Sequence, residues 1–371
     1  MSRVPTKDYA RQHRALWAEL VPALERVFLE DEPVLGEALT RFEADLAAYH
    51  GVAHAVGMNS GTDAIVWAMR GLGLGAGDEV VTCAHTFSGV VSALIQAGVT
   101  PRLVDADPVS GLLEARAVEA ALTPRTRAVL AVHMYGHPVD VAALAALCRA
   151  RRLFFVEDAA QAHGARADGR PVGSTGDAAV LSFHPSKNLG AVGDGGAVLT
   201  SSDELAAWLR IARNLGKDGK YRFAAIGPNS KLDTLQAAIL GVKLRHLDGW
   251  VARRRALAAR YRAGLAGVGD LVLPHERAGA EPAYHLYVVR SGRREALRAH
   301  LAAAGIATGL HYPIAAARQP ALAPFFAGES FPVADERAQT VLSLPLSHEH
   351  DDAEIDAVIA AVRSYFGAGA G

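Results

Sequence analysis

Between Ala55 and about Thr200 the chain repeats one pattern, a short apolar run followed by an alanine-rich stretch at helical spacing. Glu79-Val80-Val81-Thr82, Arg102-Leu103-Val104-Asp105, Ala128-Val129-Leu130-Ala131-Val132 and Leu153-Phe154-Phe155-Val156 are the clearest runs. They lack the alternation of a half-solvated strand, so both faces of each must be covered. Helices between successive strands supply that cover and make the strands parallel. The pattern therefore predicts an α/β fold built on a large, mostly parallel sheet flanked by helices.

The flanking segments read differently. Leu16, Leu20, Leu24, Val27 and Phe28 recur at helical spacing, and a second helix is expected from about Glu37 to Tyr49. The alanine-rich stretch from about Leu232 to Ala266 predicts one long helix, bent near Gly249-Trp250, that leaves the sheet domain. A smaller α+β unit follows, with a strand at His285-Leu286-Tyr287-Val288-Val289, a helix near Glu295 to Ala304 and a closing helix from Asp352 to Tyr365. With 371 residues, half of them apolar, two domains are expected, residues 1–245 and 246–371. The Gly-Ala tail after Phe366 is expected to fray.

The chemistry concentrates in a few motifs. Lys187 stands in Ser182-Phe183-His184-Pro185-Ser186-Lys187-Asn188-Leu189-Gly190, just before Gly193-Asp194-Gly195-Gly196. A lysine held at the end of an apolar strand is desolvated, which makes its amine a nucleophile toward an aldehyde. Asp158 ends an earlier strand in Val156-Glu157-Asp158-Ala159-Ala160-Gln161. An acid there is commonly a helix cap or an ion-pair partner, but opposite such a lysine it meets the needs of pyridoxal phosphate, one amine and one carboxylate under the ring nitrogen. Ser60-Gly61-Thr62-Asp63 leads into the helical run from Ala64. That is either an ordinary N-cap or an anion site at a helix N-terminus, where Gly61 would let a phosphate approach closely.

Together these motifs resemble the DegT/DnrJ/EryC1/StrS sugar aminotransferases, of the fold-type I pyridoxal-phosphate enzymes, and the resemblance runs almost end to end. It implies a seven-stranded type of sheet domain and pyridoxal 5'-phosphate as cofactor. Lys187 and Asp158 become the catalytic pair, with Gly61, Thr62 and Ser182 at the phosphate, Phe87 stacked on the ring and Gln161 beside the ring hydroxyl. His163 is expected to support this group from behind. His184, His311 and Tyr312 are placed at the substrate, although Ala315-Ala316-Ala317 stands where the family carries a histidine, and Lys231 where many members have arginine. Asn229 is either a helix cap or the family asparagine that reaches the phosphate of the neighbouring subunit, which implies a homodimer with shared sites. The implied reaction moves an amino group from glutamate or a similar donor to a nucleotide-linked keto-sugar, at C3 of a dTDP-3-keto-6-deoxyhexose. Amination at C4 and a keto-sugar or aminocyclitol acceptor are the alternatives.

Other classes fit less well. A net charge of -1 offers nothing to nucleic acid or an anionic membrane. Cys83 and Cys148 lack metal spacing and suit a reducing compartment, and the N-terminus has no signal-peptide core, so a cytoplasmic protein is expected. The glycines from Gly71 to Gly77 precede a strand instead of following one, the reverse of a dinucleotide fingerprint, which disfavours a dehydrogenase. In His348-Glu349-His350-Asp351-Asp352 a cap from Asp351 or Asp352 explains the acids, and no metal is expected. The family's dehydratases replace the lysine with histidine, unlike this chain. A non-catalytic sensor that keeps the fold is the rival from another class.

Overall fold

The computed structural model describes residues 4–367, so most of the expected frayed tail lies outside the described residues. Seven strands form the main sheet: β1 (His54–Met58), β2 (Glu79–Cys83), β3 (Thr100–Val104), β4 (Thr126–Val132), β5 (Phe154–Asp158), β6 (Ala178–Ser182) and β7 (Gly196–Thr200). Their order is β1-β7-β6-β5-β4-β2-β3. Only β7 runs against the rest, pairing antiparallel with β1 and β6. The expected parallel sheet is present, and all five residues of β2 and of β7 are buried, so neither strand has a solvated face. The connecting helices α3 (Gly61–Gly71), α4 (Ser88–Ala97), α5 (Ala115–Ala121), α6 (Val141–Arg151) and α7 (Asp203–Ala212) cover the sheet.

Two further helices precede the sheet, α1 (Tyr9–Glu30) and α2 (Glu37–His50), and two follow it, α8 (Thr234–Leu244) and α9 (Leu247–Leu265). The stretch expected as one bent helix is divided at Arg245 and His246, not at Gly249, which lies inside α9 with nothing near the place of a Cβ. His246 bonds back three residues, to the Lys243 carbonyl at 3.0 Å, which tightens the turn, and its ring lies 5.9 Å from that of Trp250. Leu16 and Leu20 of α1 pack on Ile239 and Val242 of α8. Phe28 lies in α1 as expected but falls off that contact and is 73% exposed.

α9 carries the chain from one core to the next. Leu247 and Val251 belong to the sheet core, whereas Leu257, Tyr261 and Leu265 pack in a second core. That second core holds β8 (Tyr287–Arg290) paired antiparallel with β9 (Val341–Leu344), together with α10 (Arg294–Ala303) and α12 (Asp352–Tyr365). Val4 joins it too, bonded to Gly305 and Ala307. α11 (Pro332–Thr340) packs instead against the sheet side through Ala334 and Ala338. Asp351 caps α12 in a capping box with Glu354, as the acids there led us to expect. The neighbouring His350 bonds the Pro5 carbonyl at 2.8 Å, and His348 stacks on Trp250 at 4.2 Å.

Candidate active site

A cavity of about 350 Å³ opens where the parallel strands end, the position at which α/β sheets bind ligands. β1 leads through Ser60 into α3, β2 through Phe87 into α4, β5 ends on Asp158, and β6 ends on Ser182 ahead of the Lys187 loop. Gly61, Thr62, Phe87, Asp158, Gln161, Ser182, His184 and Lys187 all line this one space, and Tyr312 enters it from the second unit. Residues far apart in sequence meet there because strand ends are neighbours in the sheet: Asp158 is in register with Val132 on one side and Val180 on the other.

At one end of the cavity, Ser60 caps α3 by accepting the Asp63 amide at 3.1 Å. The cap and an anion site are compatible, since the side chain satisfies one amide and leaves others at the helix terminus. The role of Gly61 differs from the expected one: a Cβ there would come within 2.7 Å of Ser182 Cβ. Glycine is needed so that β6 can bring the Ser182 hydroxyl against the first turn of α3. Ser230, fully buried, donates to Asp63 at 2.6 Å and accepts from the Asn59 amide at 3.2 Å, which steadies this turn from behind.

Asp158 is 3% exposed and accepts the Ala160 amide at 3.0 Å. Burial pushes its carboxyl up, against the opposing pull of that amide, Lys187 and His133. A cation inside the cavity recovers the lost solvation. Beside it on β5, Glu157 points the other way and serves the scaffold. Burial works to raise Glu157, yet His133 at 3.2 Å and the Gly173 and Gly176 amides outweigh it and hold the carboxyl below its ordinary value.

The amine of Lys187 is partly buried, and burial lowers its pKa to about 8 even though Asp158 acts in the opposite sense. Its loop closes on itself through Ala191 N–H to Phe183 O at 2.8 Å. Asn188 ties the loop to the Ala283 carbonyl at 2.9 Å, and buried Lys243 ties it to the Gly190 carbonyl at 2.7 Å. The ring of His184 borders the cavity but is bonded to Ser186 of its own turn at 2.9 Å. His163 stays behind the site, 1% exposed and 5.9 Å from the Phe183 ring.

An anion cup at the α3 terminus, a buried carboxylate, an aromatic face and an amine of depressed pKa fit a phosphorylated pyridine aldehyde. Residues 16–363 match the model of the DegT/DnrJ/EryC1/StrS aminotransferase family. The chain belongs to that family. The protein is accordingly an aminotransferase of the DegT/DnrJ/EryC1/StrS kind, with pyridoxal 5'-phosphate as its cofactor. It is 46% identical over 368 residues to the dTDP-3-amino-3,4,6-trideoxy-alpha-D-glucose transaminase of Streptomyces venezuelae, covering 98% of this chain and 96% of that protein. It is 41% identical to a pleiotropic regulatory protein of Geobacillus stearothermophilus, covering 98% of each. Among solved structures, S. venezuelae DesV in complex with a ketimine intermediate superimposes with a TM-score of 0.96 at 46% identity, covering 98% of this chain and 99% of that one.

Two of the named site residues do not line this cavity, Asn229, which was expected at the neighbouring subunit's site, and His311. Asn229 is exposed, bridged to Asn214, and does not line the cavity of its own subunit. The His311 ring turns to Ser343 at 2.8 Å, while its carbonyl accepts from the Tyr135 hydroxyl. Asp194 lines the cavity from the glycine-rich motif read with Lys187, and Ile65, Val90 and Val132 line it without having been singled out by the sequence. Only their places at strand and helix ends signal them.

Proposed function

We propose that this aminotransferase transfers an amino group from glutamate or a similar donor to C3 of a nucleotide-linked 3-keto-6-deoxyhexose. The observation that carries the reading is the convergence of Lys187, Asp158 and the α3 terminus on one cavity. The C3 position is supported by the name of the S. venezuelae relative, a 3-amino sugar transaminase.

Pyridoxal phosphate, when bound, supplies an aldehyde that condenses with amines and a ring that accepts the electron pair left when a neighbouring C–H bond breaks. The α3 amides, Thr62 and Ser182 would hold its phosphate. Asp158 would keep a proton on the ring nitrogen by direct charge pairing, and Phe87 would cover the ring face. Lys187 would present Nζ to the aldehyde and serve as the base and acid that moves the donor's α-proton. Its pKa of about 8 suits both directions, because near neutral pH the amine can accept and return a proton. The acceptor half-reaction runs the same steps in reverse.

We also read the active form as a homodimer with shared sites. Leu215, Tyr221, Phe223 and Ile226 are 39%, 84%, 62% and 93% exposed along the segment that carries Asn229. An apolar row of this kind suits burial against a second copy, which brings Asn229 to the partner's phosphate cup. A cytoplasmic location is supported by two buried free cysteines and, among the described residues, the lack of a helix long and apolar enough to cross a membrane.

Incubation with glutamate and matched 3-keto and 4-keto sugar nucleotides, with the new C–N bond located by NMR, tests the reading. Amination at C3 is expected. Amination at C4 alone sinks the regiochemistry, and no transfer to any keto-sugar favours the sensor reading.

A further inference from the structure

Tyr135 is bound to three segments of the active site without lining the cavity itself. It follows β4 and sits in the left-handed region, at φ 60° and ψ 10°, a conformation that a bulky aromatic residue adopts only under constraint. The constraint is visible. Its amide donates to Gln161 Oε1 at 2.8 Å, and the Leu286 amide reaches its carbonyl at 3.4 Å. The next residue, Gly136, is wedged between backbones: a Cβ there would meet Gln161 O and His285 N, each at 2.9 Å.

The buried hydroxyl of Tyr135 has one proton and two partners, the His311 carbonyl and His85 Nε2, the latter at 3.1 Å. A carbonyl only accepts, so the proton goes to His311 and the hydroxyl oxygen accepts from His85. Burial lowers the pKa of His85 to about 3, so the ring is neutral, and its one N–H then sits on Nε2, facing the hydroxyl oxygen. Two residues beyond His85 is Phe87, and one beyond His311 is Tyr312. Gln161 closes the circuit by donating to the Tyr312 hydroxyl at 3.5 Å.

We propose that Tyr135 is a positioning residue that sets the spacing of Phe87, Gln161 and Tyr312 across the cavity, and thereby governs how the acceptor keto-sugar is held. The inference rests on the transaminase reading of the same site. The hydroxyl holds the His311–Tyr312 loop directly, whereas Gln161 is held by the Tyr135 amide, which a side-chain substitution leaves in place, so loss of the hydroxyl acts first on the loop, where the acceptor is read to lie, and least on the cofactor side.

Tyr135→Phe removes the hydroxyl and keeps the ring. The KM for the 3-keto sugar nucleotide is expected to rise about tenfold, with the donor half-reaction changed by less than about twofold. In a Tyr312→Phe background the same substitution is expected to cost less than about threefold, because the loop contact it supports is already weakened. Parallel changes in both half-reactions, or full additivity in the double mutant, overturn the proposal and leave Tyr135 a packing residue. His85→Phe, which removes the donor to the hydroxyl without altering Tyr135, is expected to act in the same direction, and no effect on acceptor KM counts against the proposal. Amide exchange at residues 309–314 of the cofactor-loaded protein needs no turnover, so it separates this inference from the function reading: faster exchange in Tyr135→Phe supports it, and unchanged exchange refutes it whatever the enzyme transfers.

Discussion

The rings of Phe87 and Tyr312 lie 5.3 Å apart with their planes inclined by 39°. Phe87 is the N-cap residue of α4 on the sheet domain, whereas Tyr312 comes from the long loop between α10 and α11, which runs from the second core to the sheet side. Phe87 is 46% exposed, an unusual position for a phenylalanine unless a flat ligand covers it. This pairing makes the cofactor face depend on how the second unit sits against the first.

Lys187→Ala is expected to lower turnover by about 10⁴-fold or more, because no other group at the site has an amine placed to carry the proton. Borohydride treatment of the variant with cofactor should fix no pyridoxyl group to the protein, while the thermal midpoint stays near that of wild type. Fixation at another lysine, located by peptide mapping, removes Lys187 from its place.

Asp158→Asn should keep the covalent attachment at Lys187 yet lose about 10²–10³ in kcat, since a neutral amide no longer holds a proton on the ring nitrogen. Absorbance and single-turnover rates check both halves of this statement. Near-normal turnover contradicts it.

The pH dependence follows from Lys187. Its folded-state pKa, about 8, lies below the ordinary lysine value of 10.5, so the folded apo-protein sheds this proton first as pH rises. The rate of cofactor attachment should climb through about pH 8 and then level off, and the group's contribution to stability should increase from there toward 10.5. Removing the opposing carboxylate in Asp158→Asn should move the inflection lower. Stopped-flow absorbance on apo-protein reads it directly, and an inflection above pH 10 would falsify the assignment.

Phe87→Ala is expected to raise the cofactor dissociation constant by roughly threefold to tenfold, the loss of one aromatic contact worth about 0.5–1.5 kcal/mol. Because the side chain is largely solvent-facing in the apo-protein, its melting temperature should move little. Calorimetric titration with pyridoxal phosphate measures the first effect and thermal denaturation the second.

Asn229→Ala should weaken cofactor retention, and mixing it with Lys187→Ala gives the sharper result. If sites are shared, a mixed dimer carries both lesions in one site and neither in the other, so activity partly returns after subunit exchange. No recovery after exchange confirmed by mass spectrometry places Asn229 in its own subunit's chemistry or in none.

The sheet and its ligand-binding edge were legible in the sequence because they follow from local rules. Unbroken apolar runs such as Ala128–Val132 have no solvated face, and the sheet buries them on both. Lys187 and Asp158 were legible for a related reason: each ends or follows a strand, and the carboxyl ends of parallel strands share one edge, whereas Ser182 was named only through the family resemblance. The break before α9 was not legible, because the residue that invites a bend, Gly249, has open space around it, while His246 at the break is held by Glu19 of α1, more than two hundred residues away.

By itself the sequence determined the pattern of strands and helices, since periodicity acts over a few residues at a time, and its motifs carried the resemblance that implied the family and its cofactor. Tertiary structure alone decided what surrounds each of them. Gly61 is small to admit Ser182 from β6, the His311 ring faces Ser343 instead of the cavity, and Tyr135, unremarked in its own segment, joins Gln161, His85 and His311. Those contacts span dozens to hundreds of residues along the chain, so they form only when the sheet and the second unit have packed, and no local pattern encodes them.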